Sequence, residues 1–171
     1  MKIETAIILC AGYGKRLHPI TLEVPKPLIK IKNKSLLLNT IELVANLGIK
    51  RIKLNTYYLS EQIEDFVNKL ENYGKIEIIK DGHEILDTGG GIKNIMKTSK
   101  DENFLVLNPD TIWNLGYKKV ILEMIEYYKY KNLNNLLMVV HKSKSYDTRF
   151  VGDFSMNNYM LSKKKNCNYI Y

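Results

Sequence analysis

Ala11-Gly12-Tyr13-Gly14-Lys15-Arg16-Leu17-His18-Pro19-Ile20-Thr21 follows directly on the apolar run Thr5-Ala6-Ile7-Ile8-Leu9, and Pro25-Lys26-Pro27-Leu28 comes shortly after. The apolar run reads as a buried strand. A glycine loop leaving such a strand brings main-chain N–H groups close to an anion, because no Cβ holds the ligand away. Lys15, Arg16 and Lys26 lie within reach of the loop in sequence. The combination describes a cradle for a polyphosphate.

Spacing excludes two common cradles. A Walker loop has a glycine, four intervening residues and then Gly-Lys-Ser/Thr, whereas Gly14-Lys15 is followed by Arg16 and the preceding glycine is too near. A dinucleotide fingerprint needs a third glycine where Leu17 stands, and a helix running on from the loop. Pro19 disfavours helix at His18, and Pro25 and Pro27 continue the break.

Outward from the loop, apolar runs alternate with helical patterns. Strands are expected at 5–9, 28–31, 51–55, 75–80, 104–108, 136–141, 149–155 and 159–162, with a last one near 168–171. Helices are expected at 36–47, 60–71, 90–98 and 117–131. Ser35 and Ser60 are placed to cap the first two, Gly48 to close the first, and Glu61 and Glu64 to complement the dipole of the second. Asn157-Asn158 reads as a hairpin turn. The expected fold is α/β: a doubly wound, mostly parallel, Rossmann-like sheet with helices on both faces and an antiparallel β extension near the C-terminus. In such sheets ligands sit beyond the carboxyl ends of the strands. The glycine loop, Asn55, Lys80, Asn108 and Asp110 all fall at or just past expected strand ends.

The chain has 171 residues, 45% of them hydrophobic, and a net charge of +8. That is enough for one domain, 1–171, with a real core. The positive balance suits anionic substrates. No Lys/Arg block lines an expected helix face, and Lys163-Lys164-Lys165 reads as a solvated edge, so nucleic acid is not an expected partner. Cys10 and Cys167 make no disulfide framework, and Cys10 reads as an inert apolar residue. No segment is long enough to span a bilayer, and a cytoplasmic location without a membrane partner is the expectation. The sequence does not indicate an oligomeric state.

The string G-x-G-x-R-L-x-P-x-T-x-x-x-P-K-P-L, from Gly12 to Leu28, resembles the sugar-1-phosphate nucleotidyltransferases. Gln62-Ile63-Glu64-Asp65, Leu86-Asp87-Thr88-Gly89-Gly90-Gly91-Ile92 and Val151-Gly152-Asp153-Phe154 support it. Within the family the chain is most similar to N-acetylmuramate 1-phosphate uridylyltransferase and mannose-1-phosphate guanylyltransferase-like enzymes. The resemblance implies a Mg²⁺-dependent enzyme that joins a nucleoside triphosphate to a sugar 1-phosphate and releases pyrophosphate. UTP with N-acetylmuramate 1-phosphate is the first expected pair, and GTP with mannose 1-phosphate its rival.

It also implies roles. Leu9, Ala11, Gly12, Tyr13, Gly14 and Lys15 would wrap the triphosphate, and Arg16 would hold the departing pyrophosphate. Lys26, aimed by its flanking prolines, would contact the α-phosphate. Thr88, Gly89 and Gly90 would meet the base, with Lys80, His83 and Glu84 leading into them. Asn55 would contact nucleotide or sugar, Gly152 and Asp153 the sugar, and Asp110 the metal. Pro109 stands where relatives have glycine, and the turn to Trp113 is one residue longer than theirs. Trp113 reads equally as a ligand wall or as packing. Tyr127, Tyr128 and Tyr130 read as amphipathic packing. Relatives carry a later aspartate that completes the metal site. No candidate for it stands in this sequence, so the chain is expected to be a fragment. Three other readings remain open at this level: a non-catalytic nucleotide-binding domain, a cytidylyltransferase for a phosphorylated alcohol, and a nucleic-acid-binding module.

Overall fold

A computed structural model describes residues 3–145, 147, 149, 151–163 and 167–171. The elements are β1 (Thr5–Leu9), α1 (Ile20–Glu23), β2 (Lys30–Ile31), β3 (Lys34–Ser35), α2 (Leu36–Asn46), β4 (Arg51–Thr56), α3 (Ser60–Asn68) and β5 (Lys75–Lys80). They continue with α4 (Thr88–Met96), β6 (Phe104–Leu107), α5 (Tyr117–Tyr130), β7 (Val140–His141), β8 (Ser155–Asn157), β9 (Met160–Ser162) and β10 (Tyr169–Ile170). Two compact units divide the chain, Met1–Glu126 and Tyr127–Tyr171.

The first unit holds a parallel sheet in the order β5-β4-β1-β6. Ala6, Ile8 and Cys10 of the first strand and its exit, Ile52 and Leu54 of β4, and Leu107 of β6 pack on Leu37, Ile41 and Val44 of α2 and on Ile63 and Val67 of α3. On the opposite face α4 approaches β1 and β4, where a Cβ on Gly91 would sit 3.7 Å from Leu9 Cδ2. Helix cover on both faces explains why β1 is an unbroken apolar run.

β4 reads differently. Ile52 and Leu54 enter the core cluster, while the alternate residues Lys53 and Asn55 are polar and still buried. Lys53 Nζ donates to Glu77 Oε2 at 2.9 Å and to the Thr98 carbonyl and hydroxyl at 3.0 Å each. All three ammonium protons are used, which makes this burial tolerable.

At the amino edge of the sheet Arg51 donates to Glu4 at 2.8 Å, to Thr5 at 3.0 Å and to both oxygens of Asp101. The Thr5 hydroxyl donates to the same Asp101 carboxylate. That bond, with help from Arg51, holds the Asp101 carboxyl below the ordinary carboxylate range.

The second unit supplies antiparallel pairs, β7 with β10 and β8 with β9. Several boundaries differ from those expected. Of 28–31 only Lys30–Ile31 is strand, in a hairpin with β3, because Pro25 and Pro27 turn the preceding residues into a 3-10 turn at Lys26–Leu28. Of 136–141 only Val140–His141 is strand. The segment expected from 149 begins its strand at Ser155, after Gly152 at φ 89°, and residue 150 lies outside those described.

Helix α4 starts at Thr88, two residues before the expected 90, and the glycines form its first turn. Ser35 caps α2 as expected, accepting from Leu38 N–H at 3.1 Å, and Gly48 follows that helix at φ 76°. Ser60 does not cap α3. Leu59, in the left-handed region, takes the N-cap place, and Glu61 alone is acidic in the first turn. The late hairpin turns at Asn158-Tyr159, one residue beyond expectation, with both residues at positive φ as a two-residue turn requires. Tyr130 is 80% exposed, against the expectation of packing.

Candidate active site

The strand order runs outward from β1 in both directions, through β4 to β5 on one side and to β6 on the other. The crevice between the carboxyl ends of β1 and β6 is therefore the switch point of the sheet, where doubly wound folds take their ligands. The loop leaving β1 and the turn leaving β6 face each other there.

Gly14 closes the glycine loop with φ 64°, and a Cβ on it would come 2.9 Å from Thr21 Cγ2 and 3.2 Å from Lys26 Cβ. The Thr21 hydroxyl donates to the Gly14 carbonyl at 2.9 Å. These contacts pin the loop against the Pro25-Lys26-Pro27 segment and explain why Thr21 belongs to the same pattern. Gly12 is different: nothing lies within 4 Å of where its Cβ would be, so that stretch of backbone is open to a ligand. Lys15 and Arg16 sit on an exposed 3-10 turn, with Lys15 Nζ 5.1 Å from the centre of the Tyr13 ring. Arg16 has no ion-pair partner among the described residues.

Lys26 Nζ reaches Asp110 Oδ2 at 2.5 Å. Two of the residues expected in the site thus meet across the crevice, one from the segment after the glycine loop and one from the turn after β6. Trp113 closes that turn by donating from its indole N–H to the Asn108 carbonyl at 2.9 Å, and it packs on the core. Its packing reading is the one its contacts support. Asp110 presents hard oxygens with its side chain 40% exposed. Among the described residues no group of three His, Cys, Asp or Glu forms a ready cage. A single carboxylate of this kind fits a Mg²⁺ that brings phosphates and waters as its other partners.

A second wall rises at β4 and β5. The Tyr13 ring stands edge-on to Tyr57, with centroids 6.0 Å apart, and 5.2 Å from Tyr58. Tyr57 donates to the His83 carbonyl at 3.2 Å and Tyr58 to the Thr21 carbonyl at 2.9 Å. A hydrogen bond with Tyr13 is the main reason the Tyr57 hydroxyl titrates above its ordinary value. Thr88, Gly89 and Gly90 open α4 with no side-chain cap from Asp87, and nothing lies within 4 Å of a Cβ on Gly89. Lys80 pairs with Glu64 at 2.9 Å.

Asn55, near the carboxyl end of β4, is 3% exposed, its oxygen taken by Cys10 N–H at 3.0 Å and its amide group by Asp81. Burial pushes the Cys10 thiol far up, which leaves it unreactive. Leu9 and Ala11 flank this point in β1 and the loop. Gly152 and Asp153 belong to the second unit. Asp153 Oδ2 accepts from Tyr171 N–H at 3.0 Å, and a Cβ on Gly152 would meet the Cys167 carbonyl at 2.6 Å. Sequence reasoning passed over Asp81, Tyr57 and Tyr58. For Asp81 a signal existed, since it stands one residue past β5, much as Asp110 stands past β6.

The nucleotidyl transferase family profile matches residues 5–150. The mannose-1-phosphate guanylyltransferase catalytic subunit beta of Xenopus tropicalis is 32% identical over 137 residues, 78% of this chain and 37% of that protein. The mannose-1-phosphate guanyltransferase 2 of Candida glabrata is 38% identical over 126 residues, 72% of this chain and 34% of that protein. The chain thus spans about a third of the length of the curated relatives it matches. Among solved structures, a UDP-glucose pyrophosphorylase complexed with UDP-glucose superposes with a TM-score of 0.77 at 16% identity, over 99% of this chain and 74% of that one. At that identity the likeness speaks to the fold. No helix among the described residues is long and apolar enough to cross a membrane.

Proposed function

This chain belongs to the nucleotidyl transferase family, and from that premise we propose that it joins a nucleoside triphosphate to a sugar 1-phosphate with release of pyrophosphate. The observation that carries the reading is the meeting of Lys26 and Asp110 at the switch point, with Lys26 packed beside Gly14 of the glycine loop. In the reaction a phosphate oxygen of the sugar attacks the α-phosphorus in line. The bond from that phosphorus to the α,β-bridging oxygen breaks, and pyrophosphate leaves with the electron pair. Such a transfer needs positioning and charge neutralisation more than a covalent catalyst.

The amides around Gly12 would receive the phosphates, and the planar fork of Arg16 would hold the departing pair. Lys26 would neutralise the α-phosphate as charge gathers there. Asp110 would hold Mg²⁺, which when bound offsets phosphate charge. Gly89 and its neighbours, with an open backbone at the start of α4, would lie against the base.

The names of the curated relatives favour GTP and mannose 1-phosphate. Uridylyl transfer to N-acetylmuramate 1-phosphate is the rival pair. Following pyrophosphate release from GTP, UTP, CTP and ATP with mannose 1-phosphate, glucose 1-phosphate and N-acetylmuramate 1-phosphate decides between them. Turnover with GTP and mannose 1-phosphate above all others is expected. Nucleotide binding without Mg²⁺ and without turnover on any pair would instead make this a non-catalytic binding domain.

A further inference from the structure

Asp81 is 8% exposed and takes no part in the proposed reaction. Its carboxylate accepts from Asn55 Nδ2 at 2.9 and 3.2 Å, and the nearby Leu86 N–H and Asn94 amide favour its charged form. Desolvation dominates these bonds and holds the carboxyl above its ordinary value. Asn55 in turn accepts from Cys10 N–H at 3.0 Å, immediately before the glycine loop. Gly91 of α4 passes so close that a Cβ there would come 2.7 Å from Asn55 Nδ2.

The chemistry of this chain of contacts is directional. An amide side chain has one accepting end and one donating end. Cys10 N–H requires the accepting end, so the donating end must find an acceptor, and Asp81 provides it. On the α4 side Gly91 packs against Asn55, and Asn94 donates to the carbonyl of Lys80, next to Asp81, at 3.3 Å. One buried pair therefore connects the exit of β1 to the entrance of α4.

We propose that Asp81 is a positioning residue: through Asn55 it sets the spacing between the glycine loop and the glycine-rich start of α4, and so the fit of the site for a nucleoside triphosphate. The link to nucleotide rests on reading those two segments as the walls of its site. The link between the segments rests on these hydrogen bonds and on the close packing of Gly91 against Asn55.

Single and double exchanges of the pair test both parts in the full chain. Asp81→Asn puts a donor in place of one of the two oxygens that accept from Asn55. Asn55→Asp keeps the bond to Cys10 but sets two carboxylates about 3 Å apart, where one must take up a proton. The double variant Asn55→Asp with Asp81→Asn restores one donor facing one acceptor at every contact. Gly91→Ala presses on Asn55 from α4 without changing any polar group.

Two readouts are followed, amide hydrogen exchange over residues 11–14 and 82–90, and equilibrium binding of GTP and of UTP with MgCl₂. Each single variant and Gly91→Ala should speed exchange in both segments together and weaken nucleotide binding about tenfold. The double variant should recover both to within about threefold of the parent. Exchange that quickens in one segment only overturns the coupling, as does a double variant no better than the singles. Coupled exchange with unchanged nucleotide binding overturns the fit. A parent chain that binds neither nucleotide overturns the nucleotide reading of the site and with it the fit, while the exchange data still decide the coupling.

Discussion

Lys26 Nζ lies 2.5 Å from Asp110 Oδ2, so the segment after the glycine loop and the turn after β6 are held together by one ion pair at the mouth of the sheet. Both side chains remain partly exposed, at 28% and 40%. A pair so placed contributes little to folding, at most about 1 kcal/mol. Its location is what matters, because in the proposed reaction phosphate and a divalent metal compete for the same cation and carboxylate.

Lys26→Ala should therefore leave the melting temperature nearly unchanged while pyrophosphate release falls about 100-fold. Asp110→Asn should raise the Mg²⁺ concentration needed for half-maximal rate. A drop in thermal stability with intact turnover would place the pair in the scaffold, and an unchanged metal titration would reassign Asp110.

Arg16 is exposed and without an ion-pair partner among the described residues, so folding makes little use of it. Arg16→Ala should change unfolding free energy by no more than about 0.5 kcal/mol. If Arg16 holds the leaving pyrophosphate as proposed, turnover should drop about 100-fold. Arg16→Lys should recover only part of the rate, because a point charge cannot grip two oxygens in one plane. Rates for Arg16→Ala matching the parent in steady-state assays would remove this residue from the chemistry.

At Gly14 the positive φ and the crowding by Thr21 and Lys26 act together. Gly14→Ala should strain the loop and displace the base of Lys26. Circular dichroism should report a folded protein with a lowered melting temperature, and turnover should fall more than the stability change accounts for. Full activity in this variant would show that the loop tolerates another course.

Asp101 supplies a pH dependence. Its folded-state pKa is depressed, first by the Thr5 hydroxyl and then by Ser99 and Arg51. A depressed carboxylate contributes stability that is present above its unfolded value, about 3.9, and is lost as pH falls through the lower folded value. Acid unfolding of the parent should therefore steepen below about pH 4, and Asp101→Asn should flatten that limb while lowering stability at neutral pH. Urea unfolding at pH 3, 4, 5 and 7 reads both effects. Parallel curves for the two proteins would show that Asp101 is not a contributor.

Much of this molecule was legible from neighbouring residues alone. The alternation of β1, α2, β4, α3 and β5, the Ser35 cap, and the placement of the glycine loop and Asp110 at strand ends follow from periodicity and local backbone chemistry, which act over a few positions. Proline and positive-φ residues shifted boundaries at Lys26–Leu28 and at Asn158-Tyr159, where a turn's geometry outweighs strand propensity. The tertiary structure decided the rest. Which oxygen Lys26 meets, why Gly91 has no side chain, and why Asn55 is buried near the end of β4 depend on segments that only parallel pairing brings together. The Asn55–Asp81 bond joins residues at the ends of two different strands, and a polar residue there looks like any solvated side chain until burial fixes its partners.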